Sequence, residues 1–259
     1  MAPVTDTTPA DKQEKVVGAE RVLAVLVLLA EQPDGVSLDD LATQLVSPKS
    51  TVHRALTTLR RVGFATTTGH GHYLLGDEYL RLAFQHQEAR PDHLRVRPIL
   101  TELASRFGET AHYAVLDGRS VVYRSKADPP RGGVRLTSAI GGRNPAHLTA
   151  VGKLLLAHQV TTREQLFRWV GAAPLEGRTP HSITDPLRLH EALEEVRDLG
   201  YATDDQENEV GINCVAVAAY LNSPTRPSGA VSVSGVVFRT PLSGLIARVD
   251  EIKQVIAGG

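Results

Sequence analysis

Ser47-Pro48-Lys49-Ser50-Thr51-Val52-His53-Arg54-Ala55-Leu56-Thr57-Thr58-Leu59-Arg60-Arg61-Val62 is the stretch on which the reading of this chain turns. Wound at about 100° per residue, it sets Val52, Ala55, Leu56, Leu59 and Val62 on one stripe and Ser50, Arg54, Thr57 and Arg61 diametrically opposite. His53 and Thr58 fall on the shoulders, Lys49 and Arg60 towards the edges. Such a helix buries one face and offers a row of hydrogen-bond donors on the other. Ser47 is expected to cap its start, with Pro48 in its first turn.

The flanks complete a three-helix unit with a hairpin. Upstream, Val22, Val25, Leu26 and Leu29 recur at i, i+3, i+4 and i+7, and Pro33-Asp34-Gly35 ends that helix. Ser37 and Asp40 have capping-box spacing, so a short second helix begins at Leu38, turns Leu41 and Leu45 inward and stops near Val46. Downstream, Phe64 to Thr68 reads as a strand, Gly69-His70-Gly71 as a turn and His72 to Leu75 as the returning strand. The pattern predicts a winged helix-turn-helix.

Charge points the same way. The chain carries a formal net charge of -1, so attraction to a polyanion must come from a local patch. From Leu41 through Gly76 there is no Asp or Glu, whereas Lys49, Arg54, Arg60, Arg61, His53, His70 and His72 are present. A solvated polar face would explain one charged stripe taken alone. The missing carboxylates, the donors at the helix start and the glycine-tipped hairpin together select double-stranded DNA. Ser50, Thr51, His53 and Arg54 are expected in the major groove, where Arg forms a bidentate pair with guanine. Lys49 sits at the edge of the same set, and Arg60, Arg61 and His70 are expected at phosphates.

The 259 residues, 42% hydrophobic, suffice for a small domain and a medium one. The expected division is a flexible arm over 1–15, the winged helix-turn-helix over 16–76, a linker helix over 77–90 that ends near Arg90-Pro91, and a second domain over 91–259. The linker helix, with Tyr79, Leu80, Ala83 and Phe84 available for packing, is expected to join the domains and pair subunits. The single cysteine, Cys214, leaves no internal disulfide and no Cys partner for zinc, which suits the cytoplasm. The longest apolar run, Val22 to Ala30, is far short of the ~18 residues of a membrane span.

The second domain reads as α+β. A helix is expected over Asp92–Phe107 and strands over Thr110–Leu116 and Ser120–Ser125 about an Asp117-Gly118 turn. Further strands are expected at Val134–Ile140, Ile212–Tyr220 and Ala230–Val237, and helices at Ala150–His158, Pro186–Leu199 and Leu242–Ile256. An enzyme reading would draw on Cys214, His147 and His181, yet Cys214 lies in an apolar run with no flanking base, and Ser232-Val233-Ser234-Gly235 lacks the glycine of a nucleophile elbow. No phosphate loop, zinc motif or dinucleotide fingerprint occurs, so no catalytic residue, metal or cofactor is expected. The alternative is an enzyme or sensor whose basic N-terminal unit binds a partner other than operator DNA.

Leu41-Ala42-Thr43-Gln44-Leu45 followed by Pro48-Lys49-Ser50-Thr51-Val52-His53-Arg54 resembles the recognition unit of the isocitrate-lyase-regulator (IclR) family. The resemblance continues through Tyr73-Leu74-Leu75-Gly76, Gly108-Glu109-Thr110-Ala111-His112, Val115-Leu116-Asp117-Gly118, His147 to Lys153, Gly200-Tyr201 to Ala216 and Ser232 to Gly235. It spans nearly the whole chain. Two departures stand out: Val46-Ser47 replaces the family's usual Gly-Leu, and Tyr220 stands where proline is common, ahead of a longer loop from Asn222 to Ser228.

The resemblance implies a GAF-like effector-binding domain and a repressor of a carbon-source or aromatic- or organic-acid catabolic operon. It implies a homodimer or dimer of dimers on a palindromic operator, and a small organic acid as effector. Ala150, Val151, Asp204, Cys214, Ser232 and Ser234 match the family's effector positions. Free amides at Ala150 and Val151 would receive a carboxylate, the two serines would add hydroxyls from one strand face, and Asp204 would accept from a ligand hydroxyl.

Overall fold

The short hydrophobic periods at the N-terminus fold as three helices closed by a three-stranded sheet. In the computed structural model, which describes residues 18–68, 71–89, 91–130 and 136–258, the chain divides into units 1–89 and 90–259. The arm expected over 1–15 and the hairpin tip at His70 lie outside the described residues.

The first unit runs α1 (Gly18–Glu31), β1 (Val36–Ser37), α2 (Leu38–Gln44), α3 (Lys49–Arg61), β2 (Ala65–Thr67), β3 (His72–Leu75) and α4 (Asp77–Ala89). Strand order is β1-β3-β2, antiparallel, with Val36 opposite Tyr73 and Thr67 opposite Tyr73 on the other side. Val25 and Leu29 of α1, Leu41 of α2 and Val52, Ala55, Leu56 and Leu59 of α3 make one buried core. Any Cβ on Gly76 would stand 2.0 Å from the Gly63 carbonyl oxygen, so glycine there lets the hairpin close over the end of α3.

Details at the α2–α3 turn differ from expectation. Pro48, not Ser47, holds the N-cap position of α3, and it has no side-chain hydrogen bond to offer. Ser47 Oγ is buried and meets no partner among the described residues. The chain instead turns through a Schellman motif: the Ser47 amide donates to the Ala42 carbonyl and the Val46 amide to that of Thr43. That motif needs a left-handed residue, and Val46 supplies it at φ 47° despite its branched Cβ. Val62, expected on the buried stripe, is the C-cap and is 49% exposed.

The second unit runs α5 (Asp92–Arg95), α6 (Arg97–Phe107), β4 (Thr110–Asp117), β5 (Ser120–Ala127), β6 (Arg143–Pro145), a 3-10 turn (Ala146–Leu148), α7 (Ala150–Gln159), α8 (Arg163–Val170), α9 (Pro186–Leu199), β7 (Ala202–Asp205), β8 (Ile212–Ala219), β9 (Gly229–Val236), α10 (Leu242–Ile246) and α11 (Val249–Gly258). Six strands form an antiparallel sheet in the order β6-β5-β4-β9-β8-β7. Strand periodicity sorts its two faces. Tyr113, Val215, Val217, Val231 and Val233 pack with α6 and α11, while Ala114, Ala202, Ala216 and Ala230 lie with α7 and α9. On β4, β7, β8 and β9 the second face thus carries alanines, which leaves room beneath α7.

The helix expected over Asp92–Phe107 is interrupted at Val96 before Arg97-Pro98, and that over Leu242–Ile256 divides after Ile246. The strand expected at Val134–Ile140 is not one in its described part, 136–140. The carbonyls of Leu136 and Ser138 accept from Lys126 Nζ at 2.7 and 2.9 Å rather than from a neighbouring strand. Strand β7 and helix α8 were not expected. Among the described residues no helix is long and apolar enough to cross a membrane.

Candidate nucleic-acid interface and ligand pocket

Burial of Val52, Ala55, Leu56 and Leu59 fixes the rotation of α3, so its other side faces outward. Lys49, Ser50, His53, Arg54, Arg60 and Arg61 are exposed and Thr51 is half-buried. Arg54, Arg60 and Arg61 have no ion-pair partner among the described residues. Thr57 and Thr58 donate to the carbonyls of His53 and Arg54, so their hydroxyl protons are spent on the helix itself. One feature escaped the sequence reading: Asp39 of α2 pairs with Lys49 at 2.7 Å, with both side chains well exposed. The stretch without acids begins at Leu41, but the fold carries a carboxylate to its edge.

In the second unit, antiparallel register aligns residues in rows. Asp204, Cys214, Ser234 and Thr110 lie side by side on β7, β8, β9 and β4. The next row is Ala202, Ala216, Ser232 and His112. Asp204, Cys214, Ser232 and Ser234 line a cavity of about 400 Å³ together with Ala150 and Val151 at the start of α7. All six expected effector residues therefore come together. Both serines are 3% exposed, so they are not on a solvated sheet face.

The start of α7 is built for open amides. Thr149 is its N-cap, and its Oγ1 accepts from the Gly152 amide at 3.1 Å. The Ala150 and Val151 amides meet no acceptor among the described residues, and the helix dipole makes this end favourable to negative charge. Gly152 is required here, since a Cβ would lie 2.1 Å from the Ala146 carbonyl oxygen.

Charge in and behind the cavity is unusual. Asp204 is 3% exposed; its Oδ1 accepts from the Glu207 amide at 2.8 Å. Burial first, and the neighbouring Glu207 carboxylate second, push its pKa from 3.8 to about 7. Lys153 of α7 forms a buried ion pair with Glu207, and burial raises Glu207 as well. His112 bridges two serines, Nε2 to Ser138 Oγ at 2.7 Å and Nδ1 to Ser234 Oγ at 3.4 Å. Burial and the nearby Lys126 charge lower it to about 3, so it is a neutral imidazole. Lys126 also pairs with Asp128 at 3.1 Å and pins the 136–138 wall. At the rim Arg178 donates to Asn144 and Asn208.

His112, Tyr123, Ser138 and Arg178, which line the cavity, and Lys153 behind it were not named from the sequence. His112 and Lys153 stood inside quoted motifs, but only the row alignment and the inward face of α7 show their place. The groups weighed for catalysis do not assemble as a nucleophile and base. Burial pushes the Cys214 thiol well up, away from thiolate. His147 is buried with Nε2 on the Glu176 carbonyl at 2.8 Å, and His181 is exposed.

Comparison with known proteins agrees with both units. The bacterial transcriptional regulator IclR C-terminal family matches residues 93–255, and the IclR helix-turn-helix family matches 18–69. The transcriptional repressor IclR of Escherichia coli K12 is 32% identical over 240 residues, covering 92% of this chain and 85% of that protein. The crystal structure of the Thermotoga maritima IclR superposes with a TM-score of 0.58 at 26% identity, covering 92% of this chain and 95% of that one. The inducer-binding domain of the PobR transcription factor from Acinetobacter, a double mutant in complex with 3-hydroxybenzoic acid, matches 64% of this chain and 95% of its own, at 28% identity and TM-score 0.58. These relatives are transcription regulators, not enzymes. The chain belongs to the IclR family of bacterial transcriptional regulators, with a DNA-binding helix-turn-helix unit followed by an effector domain.

Proposed function

We propose that this regulator represses an operon for breakdown of a carbon source or an aromatic or organic acid, and that a small organic acid in the cavity under α7 alters its hold on DNA. The observation that carries the reading is the convergence of two open amides, two buried serine hydroxyls and Asp204 on one sheltered space of about 400 Å³, within the 300–1,000 Å³ usual for ligand sites. The Acinetobacter relative's complex with a hydroxybenzoic acid supports this chemistry, and the Escherichia coli relative's name supports repression.

On DNA, Ser50, Thr51, His53 and Arg54 enter the major groove, and Lys49, Arg60, Arg61 and His70 meet phosphates. A second copy pairs through the exposed Leu80 and Phe84 of α4, joined by Leu23 and Val27 on the outer face of α1. Tyr79, also available for packing on α4, lies edge-on to Phe64, 5.9 Å between ring centres. A two-fold dimer, or a pair of such dimers, reads a palindrome with half-sites ~34 Å apart or a multiple of it.

The test is fluorescence anisotropy with DNA from the gene's own upstream region and a scrambled control, at several salt concentrations. Arg54→Ala should erase the preference for the native sequence, whereas Arg60→Ala should weaken both DNAs alike and lower the salt slope by about 1. Equal weak binding of the unaltered protein to both DNAs overturns the proposal.

A further inference from the structure

Tyr220 and the loop from Asn222 to Ser228 follow β8 at the end remote from Cys214. There a concave groove of about 830 Å³ opens between α6, α7, β8 and α11. Its walls are apolar, with Ile99, Val217, Leu221 and Ile256 prominent, and Tyr220 stands edge-on to His158, 6.2 Å between ring centres. Arg95 and Lys253 supply the charge, and no Asp or Glu is among the lining residues.

The rim is held in place. Arg95 donates to Asn222 Oδ1 and to the Leu221 carbonyl, both at 2.7 Å, and Asn222 Nδ2 donates to Asp92 at 3.0 Å. Both Arg95 contacts are neutral acceptors, so its charge is not cancelled by them. Among the described residues Lys253 has only a distant ion-pair partner, Asp250 at 3.9 Å, whose side chain is 90% exposed. His158 adds no charge near neutral pH, because burial and Arg197 lower its pKa. A ligand suited to this place has an apolar body and a single negative end: the body covers Val217 and Ile256 while the anion meets Lys253 and Arg95.

We propose that this groove is a second ligand site, specific for an amphipathic carboxylate with a medium-length alkyl chain. The two sites lie at opposite ends of α7, whose eight-residue step from Ala150 to His158 spans ~12 Å. The groove has about twice the volume of the first cavity, and it lacks a buried carboxylate like Asp204.

Isothermal titration of the full chain with sodium octanoate, below the concentration at which it forms micelles, tests the site. Octylammonium is the charge control. One octanoate should bind per chain, with octylammonium at least about tenfold weaker. Lys253→Glu should weaken octanoate about tenfold and Lys253→Arg should restore it. Ser234→Ala should leave it unchanged. No saturable binding, equal binding of octylammonium, or indifference to Lys253→Glu overturns the proposal. Loss of octanoate binding in Ser234→Ala also overturns it, by placing the ligand in the first cavity.

Discussion

Replacing Asp204 with asparagine should stabilise the protein, and the gain should grow with pH. In the fold the carboxyl ionises near pH 7, against 3.8 in an unfolded chain. A group whose pKa is raised by folding contributes most below its unfolded pKa, and the contribution is lost as pH rises towards the folded value. At 1.36 kcal/mol per pH decade, the loss is about 1.5 kcal/mol at pH 5 and about 4 kcal/mol by pH 8. Asparagine keeps an oxygen to accept from the Glu207 amide and carries no charge. Its advantage over aspartate should therefore widen by about 2.5 kcal/mol between pH 5 and pH 8, a growing difference in melting temperature of roughly 5–10 °C for a unit of this size. Differential scanning fluorimetry of both proteins across that range reads it directly. His112, lowered to about 3, works in the opposite sense, losing stability as pH falls below 6.5, but it is common to both proteins and cancels. A melting difference that stays constant from pH 5 to pH 8 would refute the assignment of a buried, half-neutral carboxyl to Asp204.

Three further changes follow from the geometry. Val46→Gly removes a branched side chain from a left-handed position and loses little burial, since Val46 is 75% exposed; the urea midpoint of the N-terminal unit should rise by the equivalent of about 0.5–1 kcal/mol. Asp39→Asn frees Lys49 and removes the carboxylate paired with it at the edge of the α3 face, so DNA affinity at low salt should increase about two- to fivefold by anisotropy. Lys153→Met strands Glu207 in the interior and should destabilise by about 3 kcal/mol at pH 8 in thermal melting, whereas Lys153→Met with Glu207→Leu should recover most of it.

The N-terminal unit was legible because its signals are local. Helical spacing of Val52, Leu56 and Leu59 fixes which side of α3 is buried, and therefore which side is free. What the sequence did not disclose there was tertiary or conformational: Asp39 reaching Lys49 from another helix, and Val46 accepting the backbone angle that glycine would take without strain. Strand periodicity puts the two serines of β9 on one face, while the choice of all six expected effector positions came from family resemblance. The rows that join Ser234 to Cys214 and Asp204 depend on register between strands distant in sequence, which no local pattern encodes. The stretch 136–140 misled for a related reason. Its composition suits a strand, but the Lys126 ammonium claims its carbonyls.

The most direct test of the central claim couples the two units in one titration. Labelled upstream DNA is held at half-saturation by the full chain, and 3-hydroxybenzoate and a panel of other small organic acids are added, with Ser232→Ala/Ser234→Ala run in parallel. The account predicts that one acid shifts anisotropy in the unaltered protein at concentrations at least about tenfold below those needed in the double variant, while DNA affinity without acid is the same for both. Equal response of the two proteins to that acid, or no response of the unaltered protein to any acid tried, would contradict control of DNA binding through the cavity under α7.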